Sequence, residues 1–142
     1  GIALQAFPFE RMEAMDGFRF VVDGAVPDGL TRVLSLASLG MTFKAVMASV
    51  DMILTKPGYG TIVEAVALGI PVVYVRRYNF PDEPPLIDHL HLYGRGVELS
   101  LADFLQGRWY AAIEQAFARP LSPTPPPLSG AQDAAHILKD YV

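Results

Sequence analysis

Lys56, Gly58, Tyr59, Gly60, Thr61 and Glu64 fall in one short stretch, directly after the apolar run Met52-Ile53-Leu54. The residue types suit a diphosphate. A lysine supplies a full positive charge, and glycines let backbone N–H groups approach a phosphate without a Cβ in the way. If a helix begins here, its first N–H groups and positive dipole end add to the attraction for an anion. Glu64 is the one carboxylate among Ile62, Val63, Ala65, Val66, Ala67 and Leu68, so an acceptor for hydroxyl groups would sit one turn in from the loop. Each residue also has a plainer use. Thr61 and Glu64 have capping-box spacing, the glycines suit a tight turn, and Lys56 alone is an ordinary solvated charge. Tyr59 either leans on a ligand or covers the loop.

Other polar residues carry less. Asp82 and Glu83 stand among Pro81, Pro84 and Pro85, where turn chemistry competes with a role as hydroxyl acceptors. Arg76 and Arg77 follow a strand-like run and fit either phosphate neutralisation or salt bridges. His89 and His91 are two apart, so on a helix they diverge and do not converge on a metal. The lysine precedes its glycines, unlike a Walker A loop, and no Gly-x-Gly-x-x-Gly occurs.

The elements that must hold these residues alternate. Strands are expected at Arg19–Val22, Arg32–Ser35, Met52–Leu54, Pro71–Val75 and Gly96–Leu99. Helices are expected at Phe9–Met15, Phe43–Ser49, Thr61–Leu68, Pro85–Tyr93 and Leu101–Ala118. Short β-branched runs between helices argue for βαβ units and a parallel sheet, with right-handed crossovers placing helices on both faces. Gly69 and Pro71 stop the helix that begins near Thr61. The prolines from Pro120 to Pro127 form a stiff connector. A last amphipathic helix follows, with Ala134, Ile137, Leu138 and Tyr141 on one face. The organisation read from this is an α/β domain over 1–119, a connector over 120–130 and a terminal helix over 131–142.

The chain has 142 residues, 51% of them hydrophobic and 18% charged, with a formal net charge of −4. One ordered domain with its own core is the expectation, and the composition argues against disorder. An acidic balance gives no footing for nucleic acid. With no cysteine, disulfides, thiolate metal sites and a cysteine nucleophile are out of reach. No apolar run approaches the roughly 20 residues of a membrane span. No leader is evident, and a cytoplasmic setting is the expectation. The opening Gly1-Ile2-Ala3-Leu4 reads as an internal boundary of a longer protein.

Lys56-Pro57-Gly58-Tyr59-Gly60-Thr61-Ile62-Val63-Glu64, followed by Gly69-Ile70-Pro71, resembles the donor-binding motif of GT-B glycosyltransferases. It is similar to the lipid II-forming peptidoglycan transferase and the UDP-glycosyltransferases. The resemblance covers roughly Val33 to Leu99. It implies a Rossmann-like doubly wound parallel sheet, the C-terminal half of a two-domain protein, whose first strand precedes Gly1. It also implies that Lys56, Gly58, Tyr59, Gly60 and Thr61 bind the diphosphate of a nucleotide sugar, that Glu64 holds the ribose, and that Asp82 and Glu83 touch the donor sugar. The partners so implied are a nucleotide-diphosphate sugar, with UDP as the first candidate, and an absent N-terminal domain that carries the catalytic residues and most of the acceptor site. No cofactor and no metal are expected. Pro57, Tyr59 and Glu83 depart from the better-known subfamilies, and no tryptophan lies near Ser38–Phe43 to stack on uracil, so the loop from Leu39 to Phe43 is where base contacts are expected. An epimerase or hydrolase of the same architecture, and a non-catalytic nucleotide-sugar-binding domain, are the alternatives.

Overall fold

The apolar runs form five short strands in the computed structural model, which describes residues 7–139. They are β1 (Phe20–Val22), β2 (Val33–Ser35), β3 (Ile53–Thr55), β4 (Val72–Tyr74) and β5 (Gly96–Glu98). β1 pairs with β2, and β3, β4 and β5 pair in that order, every pair parallel. The class is the expected α/β, compatible with a Rossmann-like fold, but the single sheet appears as two. The first strand that the resemblance implies lies outside the described residues.

Alternation along β4 shows why helices are needed on both faces. Val73 and Val75 enter one cluster with Val22, Val33, Val97, Leu99 and the helical residues Met12, Phe104, Trp109 and Ile113. Val72 and Tyr74 point the other way, into a cluster with Met47, Ile62, Ala65, Val66 and Leu90. Burying each large aliphatic side chain contributes about 1.5–3 kcal/mol, so a strand apolar on both faces is stable only between two layers. The first cluster draws on both sheets, which makes them parts of one core. Trp109 anchors it. Its ring stacks on Phe104 at 5.5 Å, meets Phe20 edge-on at 5.8 Å, and its indole N–H donates to the Phe104 carbonyl at 2.9 Å.

Helices α1 (Phe9–Glu13), α2 (Phe43–Met47), α3 (Tyr59–Leu68) and α4 (Glu83–Tyr93) fall where expected, with shifted ends. α3 begins earlier than Thr61: Gly58 is its N-cap, with φ −134° and ψ 138°, and no side chain caps it. Thr61 is therefore its third residue, and the capping-box reading fails. The expected helix over Leu101–Ala118 is two, α5 (Leu101–Leu105) and α6 (Tyr110–Ala118). Gly107, at φ +67°, ends α5 in a left-handed turn, and the Arg108 N–H reaches back to the Asp103 carbonyl at 2.9 Å. This 6→1 bond is the signature of a glycine-terminated helix. After a stretch without helix or strand, α7 (Gly130–Lys139) buries no residue. Tyr141, expected on its apolar face, lies outside the described residues.

Candidate functional site

Parallel pairing sets Thr55 opposite Tyr74 and Tyr74 opposite Glu98. The loops leaving β3 and β4 therefore emerge together from the carboxyl edge of the sheet, where open α/β sheets bind ligands. Lys56 is exposed and Pro57 buried. Beyond Gly58, α3 opens with Tyr59, Gly60 and Thr61, and its first internal bond runs from the Ile62 N–H to the Gly58 carbonyl at 2.9 Å. The N–H groups of residues 58–61 have no acceptor among the described residues. They form a row of free donors at the positive end of a helix dipole.

Neither glycine in this loop is required by the chain itself. A Cβ on Gly60 would meet nothing within 4 Å, and one on Gly58 would only touch the Lys56 carbonyl oxygen at 4.0 Å. Neither adopts a positive φ. Both positions therefore leave open space beside the backbone, where close approach by a ligand is sterically free. Glu64 is half-buried and has no hydrogen-bond partner among the described residues. Tyr59 is 75% exposed.

Glu83 behaves otherwise. It is 0% exposed, and its carboxylate accepts from the Arg77 N–H at 3.0 Å, the Tyr78 N–H at 3.4 Å and Arg76 Nε at 3.1 Å. Burial pushes its pKa up, but these donors outweigh burial and hold it below the ordinary carboxylate value. Successive N–H groups wrapped around a carboxylate form an anion nest. Its left-handed member is Tyr78, at φ 61°. Tyr78 is further tied by its hydroxyl, which donates to Glu98 at 3.0 Å. The expectation that Glu83 touches a sugar is not met, because its oxygens are enclosed and already bonded. Asp82 is exposed at the N-cap of α4 and makes no capping bond.

The structure thus brings Lys56, Gly58, Gly60 and Thr61 together at one helix start, with Glu64 farther along the same helix. Arg76 and Arg77 turn inward to Glu83. In the loop expected to meet a base, Met41 and Phe43 are exposed, and α2 reaches the core around α3 through Met47. His91 bonds Tyr74 at 2.8 Å, and no group of three potential metal ligands occurs among the described residues. An open groove of about 540 Å³ lies elsewhere, between Met15–Phe18 and Arg108–Tyr110. Its charged residues are already paired, Asp16 with Arg32 and Arg108 with Asp103, so the free donors at α3 outweigh its size.

What sequence reasoning missed is the reach of Arg77, which donates to the Pro57 carbonyl at 2.6 Å. Two adjacent arginines after a strand signal a nearby anion, but not that the anion is Glu83.

The chain is similar to part of an L-arabinokinase. It is 40% identical over 96 residues to that protein from Arabidopsis thaliana, covering 67% of this chain and 9% of the relative. No family model matches the chain, and no solved structure matches it. No helix among the described residues is long and apolar enough to cross a membrane.

Proposed function

We propose that this chain binds the nucleotide-diphosphate part of a sugar nucleotide, as the donor-binding half of a glycosyltransferase-like protein. The observation that carries the reading is the start of α3, where glycines needed by neither packing nor backbone accompany unpartnered N–H groups. Lys56 and these donors take the diphosphate, Thr61 adds a hydroxyl, and Glu64 accepts from the ribose. Asp82 is left as the sugar contact, and Glu83 organises the loop behind it. Donors aimed at a leaving diphosphate would stabilise the charge that develops there during transfer. The open edge needs a second wall, which supports the reading of this chain as half of a cleft. The likeness to the GT-B donor motif supports the ligand class.

A second reading rests on the relative's name. A chain resembling a small share of an L-arabinokinase can serve sugar phosphorylation, with the same loop holding ATP or a sugar phosphate. Calorimetric titration with UDP, GDP, dTDP and ATP separates the two. Saturable binding of a nucleoside diphosphate is expected. Glu64→Ala should weaken it about 10- to 100-fold, since hydrogen bonds to a charged group are worth about 1.5–3 kcal/mol. Preference for ATP would favour the kinase reading, and a folded protein that binds none of these would defeat both.

A further inference from the structure

Arg77 joins the two loops that leave β3 and β4. Its guanidinium lies 3.6 Å over the Phe80 ring, stands 3.6 Å from Glu83 and donates to the Pro57 carbonyl. Glu83 is fixed in turn by the backbone of Arg77 and Tyr78. A trans peptide holds its C=O and the next N–H in opposite directions. Fixing the Pro57 carbonyl toward Arg77 therefore turns the Gly58 N–H to the other side of the loop. That N–H begins the row of free donors at residues 58–61.

We infer that Arg77 is a positioning residue for the anion loop: it sets the Pro57–Gly58 peptide so that the donors face the ligand, without touching the ligand itself. The inference rests on the nucleotide-binding reading above and deepens it. Arginine suits the task because a planar fork can serve Glu83 and Pro57 while stacking on Phe80. A lysine offers one charge point and cannot hold all three.

The test compares the wild-type chain with Arg77→Lys and Arg77→Ala. Amide NMR of the ligand-free proteins reads Gly58–Thr61, the amides of Leu101–Ala118 report whether the core is intact, and each protein is titrated with UDP. Both variants should shift the Gly58–Thr61 amides, leave the core in place and bind UDP about tenfold more weakly. The salt dependence of binding by Arg77→Lys should stay as in wild type, because the positive charge is kept. Wild-type affinity in Arg77→Lys with loss in Arg77→Ala would mean that Arg77 acts by charge alone, and would overturn the proposal. Unmoved loop amides in both variants would overturn it as well. If Arg77→Ala loses its core, Arg77→Lys decides. Should wild type bind none of UDP, GDP, dTDP and ATP, the nucleotide reading falls, while the ligand-free amides still decide whether Arg77 sets the loop.

Discussion

A methyl group added at Gly60 meets no atom within 4 Å, at a position with ordinary backbone inside the first turn of α3. Alanine is the better helix former by up to about 1 kcal/mol, so Gly60→Ala should raise the urea midpoint. The same methyl would stand among the free N–H groups, so affinity for UDP should fall. Stability and binding moving in opposite directions is the expected result. Unchanged affinity in the stabilised variant would show that nothing approaches this backbone. The sequence marked the residues of the loop, but not the roles of all of them. Thr61 and Glu64 imitate a capping box, and only the position of Gly58 shows that α3 starts before them. Glu83 was legible as half of a carboxylate pair. Its burial was not, because the groups that enclose it come from backbone turned left-handed at Tyr78.

At the level of elements, α4 sits directly on β5 because Gly96 has no side chain. A Cβ there would lie 2.6 Å from Leu90 Cγ and Cδ2, and Leu90 is fully buried. Overpacking of this kind costs about 1–3 kcal/mol. Gly96→Ala should lower the urea midpoint accordingly, and pairing it with Leu90→Ala should cost less than the sum of the two changes. Additive losses would show that the contact is relieved elsewhere. Arg95 reinforces the same corner by donating to the Gly69 carbonyl at 2.6 Å, at the C-terminal end of α3. The strands were legible because burial on both faces leaves runs with no polar interruption, as in Val72-Val73-Tyr74. The break between α5 and α6 was not. Leu101 to Ala118 carries apolar residues throughout, and the decisive feature is one glycine whose left-handed turn lets Trp109 fold back on Phe104.

Across the whole molecule, one core ties the two sheets together, and the candidate site lies on an open edge outside it. The end of α6 is marked by a small polar network. Tyr74, buried in β4, meets His91 Nε2 from α4 at 2.8 Å, while Arg119, just past the end of α6, faces His91 Nδ1 at 3.4 Å. With an arginine donor at Nδ1, the proton of the neutral ring belongs on Nε2, where it donates to the Tyr74 oxygen. Protonating Nδ1 would set one cation against another. Partial desolvation, followed by the charge of Arg119, lowers the His91 pKa from 6.5, against the weaker opposing pull of Asp88 and Glu98. Burial, then the charge of Glu98, raises the Tyr74 hydroxyl to about 12, so it stays protonated throughout. The folded state thus prefers neutral His91. Its contribution is complete above the unfolded pKa of about 6.5 and is lost as pH falls from there through the lowered folded value. Glu13, Glu83 and Asp103, whose pKa values are also lowered, contribute in the same direction only at more acidic pH. The urea midpoint should therefore fall between about pH 7.5 and about pH 5.5, and His91→Gln should flatten that slope. A variant that keeps the full slope would place its origin away from this network. A flattened slope would show that the end of α6, where the chain leaves for the proline-rich segment, is held by a contact that weak acid loosens.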